Sequence, residues 1–339
     1  VVRCAGSSFE VGQMHGAALA GEIHDHLGRW MATLSARFGG ADPRPLVHRF
    51  LAETEFGAAI EAHTPALAEE IAGIAAGADL HSDDVLLLQL LDESWRHLGR
   101  AEHCTSFAVV DAGWSRSGQT MDLESFRDGA QSVLHLVGSA GPEQMVLTMA
   151  GCVGLLGVAR TGWALFVNAL SQLPARADGL PVACAIRGAL AHETLADGVD
   201  FLRRIPHATG QHYLAVSDAV AVSLECSAAG VALVDPPGGR AGRWWHTNHP
   251  LVGAVVLGDD DASSVERFAA VARVLERDVL DDEALEGMLA DAPVCRPRRA
   301  GATFFSFATV LVELVPGVDP LVRVAPGPAA TSSYVTLPW

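Results

Sequence analysis

The apolar patterning predicts an α+β fold, with two sheets and helices outside them. Three observations carry this. Apolar residues recur at helical spacing through the first hundred positions. At Thr105 the period shortens to that of strands, and glycines begin to punctuate the runs. A block of strands, then helices, then strands again follows to the end of the 339 residues.

Ser7 or Ser8 can cap the first helix, whose apolar spacing continues to Phe38 and stops at Gly39-Gly40. Gly12 and Gly16 lie four apart on one face of it, which permits close packing. A second helix runs from about Pro45 to His63, and a third follows Pro65. A fourth starts at a Ser82 cap, where Asp83 and Asp84 suit the positive helix N-terminus, and runs to about Leu98. Residues 1–100 therefore read as a helical arm. Strands are expected at 105–111, 117–123, 131–138, 144–149, 153–159 and 163–170, then helices at 181–194 and 197–204. Further strands fall at 212–217, 219–225 and 230–235. Helices at 262–277, capped by Ser263 or Ser264, and 282–290 precede two late strands, 303–314 and 320–325.

Half of the residues are apolar and the formal net charge is −17. An acidic chain argues against binding nucleic acid or an anionic membrane, since both select basic patches. No apolar run reaches the ~18 residues of a spanning helix, and no secretory segment opens the chain. The six cysteines are scattered, without a C-x-x-C pair. That disfavours a zinc ribbon or a disulfide framework and fits a reducing, cytoplasmic setting.

The helical arm meets the strands at His103-Cys104-Thr105-Ser106. A lone cysteine is usually a small buried hydrophobe. At this junction it suggests more: cleavage between His103 and Cys104 would make Cys104 a new N-terminus. A free thiol has a pKa near ~8.5 and is mostly protonated at neutral pH. An adjacent α-amine, with a pKa of ~7.7–8, can take its proton.

Other residues could complete such a site. Asp122 ends a strand that hairpins back on the Cys104 strand through Gly113, so its carboxylate could meet the Cys104 amine or thiol. Asn248, in Trp244-Trp245-His246-Thr247-Asn248-His249-Pro250, can aim an amide donor at an oxyanion. A backbone N–H near Asn168 or Ala169 is a candidate second donor. Arg296 lies in a loop with Arg298 and Arg299 and could pair with Asp122 or a substrate carboxylate. Thr105, Glu225 and His246 are candidate lining residues. His246 and His249 could instead hold a metal, but zinc asks for three or four ligands and no third stands nearby.

These stretches, with Phe9-Glu10-Val11-Gly12-Gln13-Met14-His15-Gly16, Gly118-Gln119-Thr120-Met121-Asp122 and Val294-Cys295-Arg296, resemble the acyl-coenzyme A:6-aminopenicillanic acid acyltransferase family. These are autoproteolytic cysteine N-terminal-nucleophile (Ntn) hydrolases, also classed among cysteine peptidases. The resemblance implies an αββα sandwich, two stacked antiparallel sheets between helical layers. It implies a small segment 1–103 and a catalytic segment 104–339 within one compact Ntn domain. By position Cys104 is similar to the nucleophile, Asp122 to its partner acid, Asn248 to the oxyanion-hole residue and Arg296 to the site arginine. His103 departs from the small residue usual before the nucleophile, and Thr120 stands where Asn is common.

The expected function is that of an amidohydrolase or acyltransferase acting on a small-molecule amide or acyl thioester. It needs no cofactor or metal. An acyl-CoA is a candidate co-substrate and the cleaved small segment a bound partner. A silent scaffold with the same fold, and a His246/His249 metal hydrolase, are the rival readings.

Overall fold

The structure is a computed structural model. It describes residues 1–339 apart from 99–102, 139–140, 254–255 and 259–260, and apart from the side chains of 95–98 and 103. The elements, in chain order, are β1 (Val2–Ala5), α1 (Ser8–Ala18), α2 (Ala20–Arg37), α3 (Arg44–Ala52), α4 (Phe56–His63), α5 (Pro65–Ala78), α6 (Ser82–Gln89) and α7 (Leu91–Leu98). Then come β2 (His103–Asp111), β3 (Trp114–Glu124), β4 (Gln131–Val137), β5 (Gln144–Met149), β6 (Leu156–Ala159), β7 (Trp163–Ala169), α8 (Val182–Leu190) and α9 (Leu195–Arg204). The rest are β8 (Gln211–Ser217), β9 (Ala221–Ser227), β10 (Gly230–Leu233), β11 (Arg243–His246), α10 (Ala262–Leu275), α11 (Asp282–Ala290), β12 (Phe304–Leu314), β13 (Leu321–Ala325) and β14 (Val335–Leu337).

The chain forms two compact units, both discontinuous in sequence. One holds residues 1–99, 126–157 and 175–209; the other holds 100–125, 158–174 and 210–339.

In the first unit, Ser7 and Glu10 form a reciprocal capping box at the start of α1. Val11 of α1 packs on Cys4, Leu134, Leu136 and Val146, so a helix covers the sheet β1-β4-β5. The expected long helices are interrupted, at Leu19 between α1 and α2, at 53–55 between α3 and α4, and at Leu90 between α6 and α7. The cap of α6 is His81, whose side chain accepts from Asp83 N–H. The arm is also not wholly helical. β1 pairs in parallel with β4, Val2 facing Leu134, so one pairing departs from the antiparallel expectation. Four residues whose partner lies some 130 positions away carry too little local pattern to be recognised as a strand.

The second unit has two stacked sheets. One has the order β7-β8-β9-β10 and the other β11-β2-β3-β12-β13-β14, every pairing antiparallel. Polar bonds cross the stack: the Gln119 side-chain amide donates to Val167 O at 2.6 Å and accepts from Val167 N–H at 3.0 Å. On the opposite face of the six-stranded sheet, Phe107, Val109, Trp245 and Leu311 pack against Val271 and Leu275 of α10 and Leu285, Met288 and Leu289 of α11. The layers of this unit are therefore helix, sheet, sheet, and the α+β class with two stacked sheets is the one observed. Among the described residues no helix is long and apolar enough to cross a membrane. All six cysteines are buried, and none forms a disulfide among the described residues.

Candidate active site

β2 and β3 form a tight hairpin, with Asp111 across from Trp114 and Gly113 at φ +79° in the turn. The register then sets which residue faces which layer. Cys104 lies across from Met121 and His103 across from Asp122. Cross-strand partners share a face and neighbours alternate. Cys104 and Ser106 thus point toward the β7 sheet, where Ser106 Oγ donates to Asn168 Oδ1 at 2.6 Å. Thr105 and Asp122 point toward α10.

Asn248 follows β11 and reaches the Cys104 backbone. Its Oδ1 accepts from Cys104 N–H at 2.6 Å and from Arg267 Nη2 at 3.0 Å, while its Nδ2 donates to Ala169 O at 3.0 Å. Two donors on one atom and an acceptor on the other fix the amide orientation. Ser264 of α10 supports the segment by accepting from Asn248 N–H at 2.7 Å. In this chain Asn248 therefore grips Cys104 through its oxygen. Ala169 contributes its carbonyl to the constellation, and Asn168 its side chain.

Asp122 is buried and its carboxylate is held in two ways. Oδ1 accepts from Ser306 Oγ at 2.7 Å, and Oδ2 lies 3.1 Å from Arg296 Nε, an ion pair without a well-directed hydrogen bond. Burial pushes its pKa up to about 6, against the opposing pull of the Arg267 charge, the Ser306 bond and the Arg296 charge. Ser306 also accepts from Arg296 N–H at 2.8 Å. The expected pairing of Asp122 with Arg296 is present. The expected bond from Asp122 to the Cys104 amine or thiol is not, because the one-residue offset in register sends the two side chains to opposite faces. His103 keeps its strand pairing, but its side chain lies outside the described residues.

Arg267 was not legible as a site residue. Its Nη1 donates to Cys104 O at 2.5 Å and to Thr105 Oγ1 at 2.9 Å, and it is wholly buried. In sequence it looks like a solvated helix charge. Its signal was positional: Ser264, Arg267, Val271 and Leu275 form the buried stripe of α10.

Beneath this lies a buried polar ladder between the sheets. His212 and His246 stack with ring centroids 3.7 Å apart. His246 Nε2 meets Glu225 Oε1 at 3.0 Å and its Nδ1 meets Thr247 O at 2.8 Å. Both ring nitrogens of His246 thus meet an acceptor oxygen. Burial raises the Glu225 pKa, but the His246 bond and charge and two backbone donors outweigh it, and the net shift is downward. Burial and the His246 charge hold His212 well below its ordinary value. His212 can then donate through Nδ1 to Asn168 Oδ1 at 2.9 Å and accept from Ser223 Oγ at 2.8 Å. Glu225 also accepts from Leu251 N–H and Val252 N–H, at 2.5 and 3.2 Å. Both nitrogens of His246 are thus engaged and unavailable to a metal. His249 Nδ1 contacts Thr247 Oγ1 and Ser264 Oγ at 3.2 and 2.8 Å.

Asn248 and Arg267 hold the peptide groups of Cys104 at the head of a hairpin inside the six-stranded sheet, with Asp122 and Arg296 paired on its helix side, an arrangement suited to acyl transfer or amide hydrolysis. The family model described as acyl-coenzyme A:6-aminopenicillanic acid acyl-transferase matches residues 119–292, just over half of the chain, and the chain belongs to that family. The acyl-coenzyme A:6-aminopenicillanic-acid-acyltransferase 40 kDa form of Emericella nidulans is 27% identical over 253 residues, covering 74% of this chain and 69% of its own. Similar solved structures include a Caenorhabditis elegans N-acylethanolamine-hydrolyzing acid amidase ortholog, at 17% identity and TM-score 0.47, covering 69% of this chain and 100% of that one. A variant of the conjugated bile acid hydrolase from Clostridium perfringens stands at 14% identity and TM-score 0.46, covering 70% of this chain and 97% of that one.

Proposed function

We propose that the protein is a self-processing cysteine amidohydrolase or acyltransferase for a small-molecule amide or acyl thioester, with Cys104 as nucleophile. The observation that carries this is the double grip on the Cys104 backbone: N–H to Asn248 Oδ1 at 2.6 Å and C=O to Arg267 Nη1 at 2.5 Å. A merely structural buried cysteine needs no buried amide and guanidinium to fix its own peptide groups.

In processing, the Cys104 thiol attacks the His103 carbonyl carbon. The C–N bond breaks, the acyl group passes to sulfur, and the nitrogen leaves as an amine. Water then cleaves the thioester, giving a His103 carboxylate and a free thiol. In turnover, the α-amine takes the thiol proton as sulfur attacks the substrate carbonyl, then delivers it to the leaving amine or thiolate. Asn248 Oδ1 accepts an N–H of that amine and leaves its lone pair free for the proton. The second hydrogen on Asn248 Nδ2, with a backbone N–H near Asn168 or Ala169, stabilises the oxyanion. Asp122 and Arg296 hold the hairpin end from the helix side. Water resolves the acyl-enzyme in a hydrolase and an amine does so in a transferase. An acyl-CoA would enter as acyl donor, and the chemistry calls on no bound cofactor.

Intact-mass measurement under denaturing conditions tests this. Two fragments meeting at His103–Cys104, absent in Cys104→Ala, are expected. A single uncleaved wild-type chain whose Cys104 resists iodoacetamide would overturn the reading.

A further inference from the structure

Arg267 is wholly buried, yet every hydrogen-bond partner it has among the described residues is a neutral oxygen. These are Cys104 O at 2.5 Å, Thr105 Oγ1 at 2.9 Å, Asn248 Oδ1 at 3.0 Å and Ser263 Oγ at 3.5 Å. A buried guanidinium is costly unless paired. Here the cation is kept out of water with no carboxylate among these contacts, and its fork is used to orient uncharged groups. Burial lowers its pKa, with Asp122 acting against that at longer range.

Only one atom separates this charge from the Cys104 nitrogen. Asn248 Oδ1 accepts from Arg267 Nη2 on one side and from Cys104 N–H on the other. The other groups around the site are Asp122 on β3, Arg296 after α11, Asp261 capping α10, His246 ending β11 and His249 after it, His212 on β8 and Glu225 on β9. Asp122 is engaged by Arg296, and Glu225 by His246. Among the described residues, Arg267 is the charged side chain that bonds a Cys104 peptide group directly.

We infer that Arg267 is a positioning residue that locks Cys104 and Asn248 in register, and that its charge favours proton loss from the thiol of processed Cys104 while keeping its α-amine neutral and able to take that proton. The inference rests on the proposed nucleophile. A fixed positive charge disfavours an ammonium and favours a thiolate, so both groups shift the same way. The fork supplies geometry and the charge supplies reactivity, and two substitutions separate them. Arg267→Lys keeps a cation but loses the bidentate fork. Arg267→Gln loses the charge.

The experiment follows self-cleavage by intact mass, and Cys104 alkylation by iodoacetamide from pH 5 to 10, in wild type, Arg267→Lys and Arg267→Gln. Arg267→Lys is expected to cleave at least tenfold more slowly, with an alkylation midpoint close to wild type. Arg267→Gln is expected to raise the midpoint by about one pH unit, a roughly tenfold loss of rate at pH 7. A wild-type midpoint in Arg267→Gln overturns the electrostatic role, and a wild-type cleavage rate in Arg267→Lys overturns the positioning role. The second readout stands if Arg267→Gln does not fold. If wild-type Cys104 neither cleaves nor labels, the nucleophile reading itself fails. If wild type does both and the variants match it, only the role of Arg267 is lost.

Discussion

Asp122 pairs across the hairpin with His103, one register position away from Cys104, and its carboxylate turns to Ser306 and Arg296 on the helix side. The Asp122 carboxylate and the Cys104 thiol therefore lie on opposite faces of the same hairpin end. The buried carboxylate, with its pKa raised to about 6, also leaves a thermodynamic trace. Its folded pKa lies above the unfolded value of ~3.9, so the folded state binds more protons between the two. The stabilisation is full below pH ~4 and is lost as pH rises through about 6. Melting temperatures of Asp122→Asn and wild type are expected to converge, or the variant to gain on wild type, between pH 4 and pH 7. A difference that stays constant across that range would show that Asp122 titrates normally.

The α1–α5 contact is set by four glycines. A Cβ on Gly12 would stand 1.9 Å from Glu70 O, and one on Gly73 would stand 2.1 Å from Phe9 O. Gly16 and Gly77 make the same approach, to Ile74 O and Gln13 O. Backbone cannot yield as a flexible side chain can, so Gly12→Ala and Gly73→Ala are each expected to cost about 3 kcal/mol or more. Gly28, on the exposed side of α2, has nothing within 4 Å. Gly28→Ala is expected to stabilise by about 0.5–1 kcal/mol through helix propensity. Urea unfolding of the three variants checks the pair of signs.

Glu225 joins the His246 ring to the backbone of Leu251 and Val252, and both side chains of the pair are almost fully buried. Removing one partner of such a pair leaves the other charge uncompensated. Glu225→Gln is expected to cost about 3–5 kcal/mol. It should also speed amide hydrogen exchange at Leu251 and Val252. Unchanged exchange there would mean that the carboxylate does not hold the segment after Asn248.

The hairpin and its partners were legible because strand periodicity and the Gly113 turn are local. So was the glycine face of α1, from the spacing of Gly12 and Gly16. Cys104, Asn248 and Arg296 could be singled out as chemically unusual residues near junctions. Arg267 could not, since a helical arginine beside Ser263 and Glu266 has the composition of a solvated face, and only its place on the Ser264–Val271–Leu275 stripe betrays it. The direction of Asp122 was missed because a single register step decides it, and register is a property of two strands. The breaks at Leu19 and Leu90 carry no glycine or proline signal, and β1 and β14 are short edge strands, β1 with a partner distant in sequence.

Arg187 of α8 and Glu70 of α5 form a second buried ion pair. Nη1 donates to Glu70 Oε1 at 2.9 Å, Nη2 to Glu70 Oε2 at 3.0 Å, and Nη1 again to Val153 O at 2.8 Å. The bidentate geometry is good, yet both charges have been taken out of water. Arg187→Met alone strands a buried carboxylate and the Val153 carbonyl, and is expected to cost about 3–5 kcal/mol. Adding Glu70→Gln removes the stranded charge. The double variant is therefore expected to be more stable than Arg187→Met, with a coupling energy of about 1–3 kcal/mol in a double-mutant cycle. Simple additivity would mean that Arg187 and Glu70 exert no net pairwise attraction on each other in the native fold.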